Sequence, residues 1–200
     1  DPDASVQALL AAAGPPPLTY AGLLRGYLET EAVHHGARIW GDSSPQDVLY
    51  LDSLKDWFPA ARVIILARDP RAYLASYKNY VRKGLSSYHN RYNPFLNAFL
   101  WRRYMNSALA AESRPWSSDV HRVHYETLVS QPEATVAAIC RFLELEFRPE
   151  MLSVSRQNSS YFAVQRDYQA SGISDQSLER WRDTLSPAEQ WVVERIVSGP

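Results

Sequence analysis

A chain of 200 residues with 46% hydrophobic content can bury a sizeable core, and its length favours one domain. Its net charge of -1, with basic and acidic residues interspersed, supplies no global field for nucleic acid or an anionic membrane, so any anion site must be local. The single cysteine, Cys140, excludes an internal disulfide framework or thiolate metal cluster; with no apolar run of membrane-spanning length and no signal peptide in view, a cytoplasmic protein is expected.

Ser5 to Ala13 and Thr19 to Val33 are predicted helices divided by Gly14 and three prolines, with Leu23, Leu24, Tyr27 and Leu28 spaced for one buried face. They make residues 1–37 a helical cap. Arg38 to Gly41 is a predicted short strand, after which Ser44 can cap a helix that begins at Pro45, buries Val48, Leu51, Leu54 and Trp57, and ends at Phe58-Pro59. Arg62 to Ala67, R-V-I-I-L-A, has the unbroken apolar character of a strand buried on both sheet faces. A helix then runs to about Lys83, and the strand-helix-strand-helix rhythm predicts an α/β fold with a parallel sheet flanked by helices. Gly84 to Asn93 reads as a polar, aromatic loop of the kind that carries binding groups.

Pro94 opens a long helix to about Glu112, Val120 to Tyr125 is a third strand, and Gln131-Pro132 leads a helix to about Leu143. Cys140 falls inside that helix, where packing is its expected role. Ser153 to Gly172 reads as an irregular surface segment, Asp175 to Asp183 as a short helix, and Ser186-Pro187-Ala188-Glu189 as a capping box opening the last helix. One domain is expected, with an α/β core at 38–145 and a tail at 146–200 that closes over the site.

The stretch from Ala67 to Tyr77, A-R-D-P-R-A-Y-L-A-S-Y, combines a strand end with a helix start. Asp69 can cap the helix and Pro70 suits its first position. Ser76, seven residues after that cap, returns to nearly the same face roughly 10 Å further along, and Arg68 can lay its side chain toward it. A guanidinium fork and a hydroxyl converging there would form a phosphate clamp. The plainer alternative is an arginine paired with a carboxylate and a serine bonded to its own helix.

Three segments in this order resemble the sulfotransferases that use 3′-phosphoadenosine 5′-phosphosulfate, particularly the bacterial and carbohydrate-type branches. They are W-G-D-S-S-P from Trp40 followed by Val48 to Arg62, then V-I-I-L-A-R-D-P-R-A-Y-L-A-S-Y from Val63, then V-H-Y-E-T-L-V-S-Q-P-E-A-T-V from Val123 with Ile139 to Leu145. A weaker fourth match is Ser171 to Leu185. The resemblance implies a P-loop-NTPase-like sulfotransferase fold, with Arg68 and Ser76 holding the 3′-phosphate and Tyr125 near the adenine. Tyr125 on its own is equally a packing residue at a strand end. Arg156, Arg166 and the Ser171-Gly172 turn can approach the nucleotide from the tail, or be solvated.

The implied chemistry is transfer of a sulfuryl group to a hydroxyl or amine, on a small-molecule, carbohydrate or carrier-bound acceptor. No metal is expected to be needed. The five histidines are consistent with that, since their spacing gives no ligand set. Relatives commonly place a lysine or histidine at the position of Ser43. Asp42 is the nearest carboxylate and can serve as base, or as a capping or ion-pairing group. Tyr88 and His89 are further candidates on the acceptor side.

The family's Gly-rich loop, which cradles the 5′-phosphosulfate at a helix start, has no counterpart before Arg38. The start at Asp1-Pro2-Asp3, without an initiator methionine, leads us to expect that loop, and in some branches the catalytic base just after it, upstream of these residues. A relative that binds the nucleotide without transfer is the alternative; a kinase-like phosphotransferase is disfavoured because no Mg²⁺-binding carboxylate follows a strand in the expected context.

Overall fold

The computed structural model describes residues 2–14, 18–82, 92–153, 173 and 178–198. The chain divides into two compact units, Asp1–Ala61 and Arg62–Pro200.

In the first unit, α1 (Pro2–Ala13) packs on α2 (Tyr20–His34). Thr19 starts α2 by accepting a hydrogen bond from the Gly22 N–H at 3.0 Å, the usual work of a threonine N-cap. Two glycines one turn apart then let the helices approach closely. A Cβ on Gly22 would lie 2.4 Å from the Ala13 carbonyl oxygen, and one on Gly26 would lie 2.7 Å from the Ala13 nitrogen and 2.8 Å from the Leu9 carbonyl oxygen. At the other end Gly36 takes φ +63°, which closes α2 with a left-handed turn in which the Ala37 N–H donates to the Ala32 carbonyl at 2.7 Å.

Residues 38–44 form no strand: R-I-W-G has the composition of one, but no neighbouring strand pairs with it among the described residues. The helix expected from Pro45 also divides, into a 3-10 turn (Pro45–Leu49) and α3 (Leu51–Trp57), with Tyr50 between them. Ser44 precedes the turn without a side-chain cap bond. Lys55 is only 6% exposed, and its ammonium donates to the Pro59 carbonyl and, at 2.8 Å, to the Ala61 carbonyl. It thereby satisfies the chain that leaves α3.

In the second unit β1 (Val63–Ala67) and β2 (Val120–His124) run parallel, with Val63 opposite Val120 and Ala67 opposite His124. The connection between them includes α4 (Pro70–Arg82) and α5 (Pro94–Ala111). Asn93 caps α5 by accepting from the Leu96 N–H at 3.1 Å. The core gathers Ala72, Leu74 and Ala75 of α4, Ala98 of α5, and Trp181, Leu185 and Val193. The last three belong to α8 (Trp181–Thr184), its following residue and α9 (Pro187–Val197).

The expectation that β1 is buried on both faces is corrected. Ile65 and Ala67 are buried, but Ile64 is 40% and Leu66 54% exposed, so only one face of β1 is covered. A continuous apolar run describes a strand's composition and leaves open which faces are covered. β2 ends at His124, and Tyr125 opens α6 (Tyr125–Ser130), followed by α7 (Pro132–Leu143).

Candidate functional site

The parallel register dictates what meets at the carboxyl end of the sheet. Ala67 lies opposite His124, so the next residues, Arg68 and Tyr125, leave the two strands side by side. The Arg68 guanidinium lies over the Tyr125 ring, 4.3 Å from its centroid, a cation-π contact that holds a long side chain in one direction. One step further, the Asp69 N–H donates to Glu126 Oε1 at 2.9 Å. The Trp101 indole N–H of α5 donates to the Arg68 carbonyl at 3.1 Å.

Asp69 caps α4 as the sequence predicts, its Oδ1 accepting from the Arg71 N–H at 2.7 Å. The same carboxylate takes the Arg71 guanidinium, Nη2 to Oδ2 at 2.7 Å. Burial works to raise the Asp69 pKa, but the Arg71 hydrogen bonds and charge outweigh it and hold the carboxyl below its ordinary value. The Asp69 carboxylate is thus paired with Arg71, two residues along its own helix. That guanidinium also reaches Glu194 at 3.5 Å and lies 4.0 Å from the Trp181 ring centroid, and Arg182 is 4.5 Å from the same centroid.

Ser76 is exposed on α4, on the face that carries the stacked rings of Tyr73 and Tyr77, whose centroids are 6.5 Å apart. Asp42 and Ser43 belong to the first unit and are exposed. Trp40 anchors their segment by an edge contact with Phe58, at 5.6 Å between centroids, and Arg25 of α2 lies 5.4 Å from the Phe58 centroid. Asp42 meets a second carboxyl, Asp47. Hydrogen bonds from Asp47 and then Ser44 hold Asp42 below its ordinary value, while burial, followed by the Asp42 contact, raises Asp47 to about 6. Tyr88, His89, Arg156, Arg166 and the Ser171-Gly172 turn lie outside the described residues.

Sequence reasoning missed Asp47 and Glu126, and it read Trp101 as a packing residue or an aromatic platform for the acceptor, without its bond to Arg68. Asp47 and Glu126 carried a signal in their adjacency to Asp42 and Tyr125; Trp101 carried none, since its partner is a backbone oxygen 33 residues away. Among the described residues no group of three or more His, Cys, Asp or Glu side chains is arranged to hold a metal ion.

In open α/β sheets ligands bind outside the carboxyl ends of the strands, and that is where Arg68 and Tyr125 leave β1 and β2. The Sulfotransferase family model matches residues 2–149, and the chain belongs to that family. Solved structures agree on the fold. The sulfotransferase domain from the curacin biosynthetic pathway is 20% identical with a TM-score of 0.62, over 87% of this chain and 67% of that one. The sulfotransferase domain from the Synechococcus PCC 7002 olefin synthase is 19% identical with a TM-score of 0.56, over 97% of this chain and 74% of that one. No curated protein matches.

Proposed function

We propose that this chain transfers a sulfuryl group from 3′-phosphoadenosine 5′-phosphosulfate to a hydroxyl or amine. The observation that carries the reading is the Arg68 guanidinium, held over Tyr125 at the carboxyl end of the sheet. Its charge and fork suit the 3′-phosphate, and the exposed Ser76 hydroxyl on the following helix suits a second phosphate oxygen. Tyr125, against which Arg68 lies, is the tyrosine that the family resemblance sets near the adenine.

In the reaction the acceptor oxygen or nitrogen bonds to sulfur as the bond from sulfur to the 5′-phosphate oxygen breaks. Adenosine 3′,5′-bisphosphate departs, and the acceptor's proton passes to a base. The protein's part is alignment and charge neutralisation. Asp42 is the candidate base among these residues, with Ser43 beside it, unless the base stands in a loop upstream. The neighbouring Asp47 carboxyl lowers the basicity of Asp42, so as base Asp42 would work best once Asp47 is ionised, above about pH 6. The acceptor is expected to be a small-molecule, carbohydrate or carrier-bound group. The neighbours' origins in a biosynthetic pathway and an olefin synthase support a biosynthetic acceptor.

Calorimetry on the full-length protein tests the reading. Arg68→Ala is expected to weaken adenosine 3′,5′-bisphosphate binding by about 1.5–3 kcal/mol, the scale of a charged hydrogen bond. Unchanged affinity would remove Arg68 from the site.

A further inference from the structure

We propose that Trp101 and Glu126 are positioning residues for Arg68, and that they act by fixing the one peptide unit joining Arg68 to Asp69. The carbonyl of that unit accepts from the Trp101 indole N–H at 3.1 Å, and its N–H donates to Glu126 Oε1 at 2.9 Å. A peptide unit is planar, so two bonds at its opposite edges fix its rotation. That rotation sets ψ of Arg68 and φ of Asp69 together. The direction in which Arg68 leaves the strand is therefore held from two sides, by α5 through Trp101 and by α6 through Glu126.

Two further contacts complete the arrangement. Tyr125, next to Glu126 in the chain, lies against the guanidinium at 4.3 Å, so one short segment steadies both the backbone and the tip of Arg68. The Asp69 carboxylate is turned to Arg71. An arginine side chain carries roughly 2 kcal/mol of rotamer entropy. Confining it before the anion arrives moves that cost from binding into folding.

The inference rests on the reading of Arg68 as a 3′-phosphate ligand, and its test separates the two. Dissociation constants for adenosine 3′,5′-bisphosphate and for 5′-AMP, which lacks the 3′-phosphate, are measured on the full-length protein and on Trp101→Phe, Glu126→Ala and Glu126→Gln. Thermal unfolding first establishes that each variant is folded. Trp101→Phe and Glu126→Ala are each expected to reduce the preference for the bisphosphate at least about 5-fold, the scale of one hydrogen bond, with 5′-AMP affinity unchanged. Glu126→Gln is expected to retain the preference, because its amide oxygen still accepts. Equal losses for both ligands, or a preference that survives both deletions, would overturn the inference while leaving the Arg68 reading intact. A wild-type protein that does not distinguish the ligands would overturn both. Should Trp101→Phe fail to fold, the contrast between Glu126→Ala and Glu126→Gln decides alone.

Discussion

Glu189 collects two donors on one oxygen at the start of α9. Lys78 Nζ lies 2.6 Å from its Oε2 and the Ser186 N–H reaches the same oxygen at 2.7 Å. Burial pushes the Glu189 pKa up, but these donors prevail and hold it at about 2, against an ordinary value of 4.5. Burial and then the Glu189 carboxylate push the Tyr92 phenol well above its ordinary range. A carboxyl lowered by folding contributes stability that is present above its unfolded pKa and is lost as pH falls through its folded one. The thermal midpoint is therefore expected to drop between pH 4.5 and about 2. The side chains of Lys78 and Glu189 are only 18% and 14% exposed, so Lys78→Met is expected to cost about 2 kcal/mol at neutral pH and to flatten that acid limb. A limb as steep in the variant as in the wild type would assign the acid sensitivity to other carboxylates.

The α1–α2 crossing turns on two hydrogen atoms. A methyl at Gly26 would meet backbone atoms of both Leu9 and Ala13 within 2.8 Å, and backbone cannot swing aside as a long side chain can. Gly26→Ala is expected to destabilise the Asp1–Ala61 unit by about 1–3 kcal/mol, the usual cost of overpacking, despite alanine's better helix propensity. Denaturant melts followed by helical circular dichroism would check it; a gain in stability would mean that the helices part at little cost. Helix starts were the most legible elements because their signals are local: Thr19, Asn93-Pro94, Gln131-Pro132 and the Ser186–Glu189 box all open helices. The strand expected at Arg38–Gly41 failed for the opposite reason. A strand exists only by pairing, and that information is absent from four residues of sequence. α6 went unseen because it follows β2 directly, and His124 makes no side-chain cap bond that would announce it.

At the scale of the whole chain, the candidate site was half readable. The family resemblance pointed to Arg68, Ser76 and Tyr125, and the strand-loop-helix around Arg68 followed from the apolar run and the Asp69-Pro70 start. The bonds that hold the Arg68 peptide were not readable, because they cross 33 and 57 residues of sequence and end on backbone atoms that every residue possesses. What brings these distant parts into line is the pairing of β1 with β2, and it has a consequence for the lengths this chain tolerates. Side chains alternate across a strand, so one added residue reverses every side chain that follows. An alanine inserted after Val123 is expected to carry Tyr125 and Glu126 away from Arg68 and to weaken adenosine 3′,5′-bisphosphate about as much as Arg68→Ala. The same insertion at 113–116, in the turn before β2, can be absorbed at the surface and is expected to leave binding intact. Equal calorimetric losses from the two insertions would show that the register is not the constraint. The short strands thus work as a ruler, and relatives of this chain should vary in length in the turns while keeping the count of residues along β1 and β2.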